Sequence, residues 1–269
     1  MDTVKRDALL LKVNTDLALQ FPLKHKTLTP LDIEAVYRRN VLSIQADAKT
    51  RKGTKKGYLT GIQYLAPASL SGFNVCPKAS QGCKAACLFS AGRGRFYSVT
   101  RARIAKTIAY VSDPERYLET VKKSIKSLIV KAKNKGLTPV VRLNGTSDIL
   151  WERTGIMNLF PDTQFYDYTK IAKRFNALLP RNYHLTFSVS ESNHTEALSV
   201  VSSGYSVAAV FRKDIPANLW GFSVVSGDDT DLRFLDPSGV VVGLKAKGRA
   251  KADRSGFVID LDTAKSFAA

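Results

Sequence analysis

Short, almost unbroken apolar runs recur through the second half of this chain, and they limit its possible folds more than any other feature. They are Pro139–Asn144, Gln164–Tyr168, Tyr183–Ser188, Ser206–Arg212 and Val240–Lys245. Each has the length of one strand, and helical patterns fit between several of them, notably at Ile171–Leu178 and Thr195–Val201. Strands without polar alternation are covered on both faces, and strands that alternate with helices pair in parallel. An earlier run, Tyr58–Ala66, is closed by Pro67 and raises the visible strands to about six. That number suits an open doubly wound sheet or a full or partial parallel βα barrel of TIM type, and the barrel is the expectation here. A length of 269 residues is ample for one such domain. With no repeat of fixed period and no low-complexity linker, one domain is expected over 47–269, preceded by an N-terminal helical extension over 1–46.

Local signals fill in the first half. The extension holds amphipathic stretches around Asp7–Leu19 and Leu31–Ser43, the second opened by Thr29 as a cap, Pro30 and the acids Asp32 and Glu34. The segment Lys49–Gly57 places five cations in nine residues without apolar periodicity. It reads as an exposed basic loop or hairpin tip, either solvated or contacting phosphate. Helices are expected over Tyr97–Val111 and after the start signal Asp113-Pro114-Glu115, where Leu118, Val121, Ile125, Leu128 and Ala132 form a stripe that ends before Gly136.

Charge and hydropathy bound the function. There are 41 Lys and Arg against 23 Asp and Glu, a net charge of +18. Such an excess favours a polyanionic partner, nucleic acid or a phosphorylated small molecule, because bound phosphate releases counterions. Charge alone does not separate DNA, RNA and nucleotide. No apolar run approaches the roughly 20 residues of a bilayer span, and the stretch around Ala8–Val13 is too short for a signal peptide. A soluble protein of the bacterial cytoplasm is expected.

All three cysteines fall in one twelve-residue window, Cys76, Cys83 and Cys87, spaced C-x6-C-x3-C. An odd number cannot close a disulfide framework. Thiolates on one loop suit a soft metal, and Lys78 and Lys84 would stabilise their charge. A structural zinc site needs four ligands, and only His25, His184 and His194 are available to complete one. A [4Fe–4S] cluster on three cysteines leaves one iron open, and it is the leading reading here, with zinc and unmetallated thiols as alternatives. The order strand, cysteine loop, helix sets the metal at the carboxyl end of the first strand, where barrels and open parallel sheets place their sites.

A three-cysteine loop after the first strand of a βα barrel resembles the radical S-adenosylmethionine enzymes. The resemblance implies S-adenosylmethionine on the open iron. Their usual spacing is C-x3-C-x2-C, and no Gly-Gly-Glu-like motif follows the next strand here. A closer likeness runs through Cys76–Cys87, Ala91-Gly92-Arg93-Gly94-Arg95, Arg142–Asp148, Phe165–Lys170 and Gly243–Gly248. These strings, in order over most of 57–257, are similar to a bacteriophage family labelled gene product eighty-eight. That resemblance implies a phage or prophage origin and brings no activity with it.

Polar residues just past the strands would converge on the cysteines. Asp148, Lys170 and Glu191 are the candidate catalytic residues, and Asn144, Thr146, Ser147, Arg212 and Lys245 the candidates for cofactor binding. The Asn-Gly-Thr-Ser-Asp loop suits a ribose or amino-acid moiety, and the cations suit phosphate or carboxylate. Ala91–Arg95 is either a phosphate-cradling loop or a plain joint. Tyr166 and Tyr168 would suit a nickase nucleophile. Such enzymes need a metal-binding His pair, and no His-x-His occurs. Two residues apart on a strand they share a face, so core or pocket-lining tyrosines are expected. The expected function is an iron–sulfur, radical-type or redox enzyme acting on a nucleotide, nucleic acid or other phosphorylated substrate. The alternative is a non-catalytic nucleic-acid-binding protein with a structural metal.

Overall fold

The computed structural model describes residues 1–22, 26–45 and 47–261. His25 therefore lies outside the described residues. Helices α1 (Thr3–Gln20) and α2 (Pro30–Val36) come first, and Thr29 and Asp32 form the capping box that the sequence implies. Strand β1 (Leu42–Ile44), helix α3 (Ala48–Lys55) and strand β2 (Tyr58–Gln63) follow. Beyond the cysteine loop, with its short helix α4 (Gln81–Ala85), lie α5 (Tyr97–Ser112) and α6 (Pro114–Lys133). The remaining elements are β3 (Thr138–Arg142), β4 (Gln164–Thr169), β5 (Tyr183–Ser188), α7 (His194–Ser202), β6 (Val207–Phe211), β7 (Asn218–Leu219), β8 (Phe222–Ser226), β9 (Val241–Lys245) and β10 (Val258–Ile259).

The result is a mixed α/β fold around one ten-stranded, mostly parallel, unclosed sheet, ordered β1-β2-β3-β4-β5-β6-β9-β8-β7, with β10 beside β6. Pairing is parallel from β2 across to β8, and the antiparallel partners β1 and β7 end the order. From β2 to β6 the strands follow chain order, without the reversal of a doubly wound sheet. Alternate strand residues explain the layering. Leu59, Val141, Phe165, Phe187 and Ala209 share one core with Leu10 of α1, Ile108 of α5, Ile125 of α6 and Val201 of α7. On the opposite face Val140 and Tyr166 pack with Leu232, Tyr58 and Phe234. Most helices thus cover one side, and the segment 227–236 covers part of the other.

Two expectations need correction. The basic segment at 49–57 is not a loop but helix α3: Asp47 accepts from the Thr50 amide at 2.9 Å, and Thr50 caps in return. Its buried side is Thr50 and Gly53, the latter 3.6 Å (from an added Cβ) from Leu232, so the contact surface is too small to show as apolar periodicity. Lys49 donates to the Gly227 carbonyl at 2.7 Å and pairs with Asp228 at 3.2 Å, so this cation already has partners. The expected helix at 171–178 is only a 3-10 turn, Ala172–Asn176. Strands β7 and β8 were not visible in the sequence. Their turn, Trp220-Gly221, has both residues at positive φ, 53° and 83°, a conformation seldom adopted by tryptophan. Among the described residues no helix is long and apolar enough to cross a membrane.

Candidate functional site at the carboxyl end of the sheet

The cysteine loop lies at one end of the sheet because the parallel strands β2 to β5 deliver their following loops there. Cys76 lies beyond β2, where its sulfur accepts from the Ala68 amide at 3.4 Å and its thiol donates to the Thr146 carbonyl at 3.6 Å. Ser80 caps α4 by accepting from the Cys83 amide at 3.1 Å. Glu191, past β5, accepts from the Gly82 amide and the Ser80 hydroxyl, each at 2.7 Å, and so ties the cysteine loop to the sheet. Gly82 has to be glycine, because a Cβ there would stand 2.8 Å from the Phe257 Cβ and 2.9 Å from the Glu191 carboxyl carbon. All three cysteines are free and half-buried. Burial pushes the Cys76 thiol up to about 12, and Cys87 and Cys83 push the same way, so the three sulfurs share one electrostatic neighbourhood. Burial also raises Cys87, opposed in part by the charges of Arg103 and Lys170.

Those two cations define the site's polarity. Lys170, past β4, donates from Nζ to the Ser188 hydroxyl at 2.6 Å and lies 5.5 Å from the Phe257 ring centre. Arg103, on α5, is only 8% exposed, and its Nε and Nη1 have no hydrogen-bond partner. Its guanidinium lies 4.7 Å from the Tyr64 ring centre. One turn further, burial first and then Arg103 push Lys106 down to about 7. Among the described residues no carboxylate pairs with Arg103. A buried charge without a counter-charge costs several kcal/mol, so this place calls for an anion. In protein free of metal, Arg103→Met is expected to stabilise the fold, because it removes a buried cation that has no counter-charge. The thermal midpoint of the metal-free protein should rise, and an unchanged or lower midpoint would mean that Arg103 has a partner in solution.

The sequence profile of the bacteriophage family described as Gene product 88 matches residues 40–261, more than half of the chain. The chain belongs to the Gene product 88 family. Among curated proteins and solved structures, none matches it. The stretch shared with the family contains the whole of the site just described, and all ten strands.

Within this Gene product 88 protein, the expected site residues divide into two groups. Thr146, Asp148, Lys170 and Glu191 surround the cysteines. The Thr146 hydroxyl donates to the Leu65 carbonyl at 2.6 Å. Asp148 accepts from the Lys170 amide at 2.8 Å and from Arg174 at 3.0 Å, and its own amide donates to the Val75 carbonyl, next to Cys76. The others are engaged elsewhere. Asn144 accepts from Ser147 and from the Ile149 amide, and its side chain donates to the Ile149 carbonyl and to Asp167, so both residues hold a turn together. Asp167, which also accepts from Tyr183, is pushed up to about 7 by burial. Arg212 is held by Asp260 and the carbonyls of Lys251 and Asp253, and Lys245 is an exposed side chain on β9.

Tyr166 is fully buried in the small core with Val140 and Leu232 and donates to Asp231 at 3.0 Å, and the Arg142 guanidinium lies 4.6 Å from the Tyr168 ring centre, so Tyr166 is a core tyrosine. Arg103 and Arg174 were missed as functional candidates. Arg103 did leave a signal: it falls in line with Thr100, Ile104 and Thr107 on the buried side of α5, where a cation is out of place. No group of three or more His, Cys, Asp and Glu among the described residues is placed to hold a metal ion.

Proposed function

We propose that this Gene product 88 protein binds a [4Fe–4S] cluster through Cys76, Cys83 and Cys87 and acts as a redox or radical-type enzyme on a phosphorylated substrate. The observation that carries this reading is Arg103, a buried cation without a counter-charge, within electrostatic reach of Cys87. A cluster on three thiolates is anionic and answers that need. Its cysteines bind separate irons, which spaces them more widely than ligands of one ion, so the lack of a single-ion site is compatible with it. Structural zinc is the weaker reading, since His184 lies near Arg233 and His194 sits 5.9 Å from Trp220, neither beside the thiols.

When bound, such a cluster supplies one-electron chemistry and an iron open to a small ligand. S-adenosylmethionine is the ligand we propose, with Lys170 orienting it and Asp148 holding the Lys170 backbone in place. The parallel order from β2 to β6, with most helices on one face, supports reading the sheet as a partial barrel whose carboxyl end is the site. Anaerobically purified protein is expected to carry about four irons and four sulfides per chain, and its reduced resonance spectrum should change when S-adenosylmethionine is added. Stoichiometric zinc without sulfide would overturn the cluster; an unchanged spectrum would overturn the ligand alone.

A further inference from the structure

The cysteine loop packs against a second segment, the one that follows β9. Ala86 shares a small core with Ala246, Ala250 and Val258, and the Arg249 amide donates to Ser90. β2 and β9 point the same way in the sheet, so both segments emerge at the carboxyl end, around the thiols. Together, residues 78–95 and 245–256 contain nine cations and one acid, Asp253. That acid is buried and occupied, accepting from the amides of Ser255 and Val258 and from the Ser255 hydroxyl. Eight of the nine cations are exposed and make no ion pair with a described residue, among them Lys84, Arg93, Arg95, Arg249, Lys251 and Arg254. Next to Arg95, Phe96 is 52% exposed.

A rim this one-sided, around a candidate reaction site, is an electrostatic track for a phosphate backbone, and an exposed ring among arginines is a platform for an unpaired base. We infer that the substrate side of this site is a single-stranded nucleic acid, its backbone lying across Lys84, Arg93, Arg95, Arg249, Lys251 and Arg254 with a base stacked on Phe96. This inference deepens the proposed function and rests on it for the chemistry, while the binding surface stands on charge and exposure. It also moves the nucleic-acid contact away from the expected arm at 49–56, where Lys49 is held by Gly227 and Asp228 and Lys52 donates to the Asp228 carbonyl.

The test is fluorescence anisotropy of a labelled single strand of about 16 nucleotides, the upper range of a site of this kind, between about 50 and 200 mM salt. Replacing Arg93, Arg95, Arg249 and Lys251 together by Ala is expected to reduce the slope of log affinity against log salt by about 3, roughly 0.7 for each cation. Phe96→Ala is expected to weaken binding roughly 5- to 150-fold, the loss of one stacked base. The control replaces Lys131, Lys133 and Lys135 by Ala. These exposed cations lie just before β3, at the amino end of the sheet, and their loss should leave the slope near that of the wild type. An equal loss in the control, an unchanged quadruple variant, or wild type that prefers anionic phospholipid vesicles to the strand would overturn the inference. Iron is measured in the same samples. Strand binding without iron overturns the cluster and leaves this surface standing, and iron without strand binding does the reverse.

Discussion

Cys83→Ala is expected to lower the iron of anaerobically purified protein from about four atoms per chain to below about one. With two protein thiolates left, the proposed cluster would lose a corner that no described neighbour is free to replace, since the nearby carboxylates are taken: Glu191 by Gly82 and Ser80, Asp148 by Lys170 and Arg174. The fold as a whole should survive. Cys83 sits on a five-residue helix held by a serine cap, a glutamate and a small alanine cluster, apart from the main core. Loss of metal and loosening of the loop should come together, because metal binding and local folding are coupled. Circular dichroism and limited proteolysis read this directly. The spectrum should match the wild type, with new cleavage confined to 76–95. Full iron in Cys83→Ala would mean that this thiol is not a ligand.

Arg174→Met is expected to be the most damaging single change to stability. Arg174 is 4% exposed, yet it donates to both oxygens of Glu152 at 3.0 and 2.8 Å, to Asp148 at 3.0 Å and to the Tyr183 hydroxyl at 2.8 Å. Methionine fills much of the space and leaves two carboxylates buried without their cation. Breaking a buried pair in this way costs about 3–5 kcal/mol, which for a chain of this size lowers the thermal midpoint by roughly 6–20 °C. The same reasoning predicts a rescue. Adding Asp148→Asn and Glu152→Gln removes the stranded charges and should recover part of the loss. A triple variant no better than Arg174→Met would show that shape at this position, rather than charge, sets the cost. The site is affected as well, because Asp148 positions the backbone of Lys170 and, through its own amide, the residue before Cys76.

Much of this organisation is legible in the chain alone, wherever the signal is local. The runs that become β3, β4, β5, β6 and β9 are apolar because both sheet faces are covered, and that can be read without knowing their neighbours. Helix α6 announces itself twice, by Asp113-Pro114 at its start and by a stripe whose Val121, Ile125, Leu128 and Ala132 are all buried. The cysteine spacing, on a loop between a strand and a helix, marks a candidate site, and the order of elements already puts that loop after the first parallel strand, at the carboxyl end of the sheet.

Tertiary structure decided the rest, because the partners come from distant parts of the chain. Helix α3 is hidden in the sequence since its buried residues, Thr50 and Gly53, are small, and Gly53 faces the distant Leu232. Asn144 reads as a ligand-binding side chain until Asp167, Ser147 and Ile149 occupy its polar atoms. Glu191 reads as one of several strand-end acids, and only folding brings it under the Gly82 amide. Arg103 looks like one cation among 41 Lys and Arg. Burial beside Cys87, with no carboxylate of the described residues paired to it, makes it the charge that asks for an anion, since the cost of a charge depends on what surrounds it.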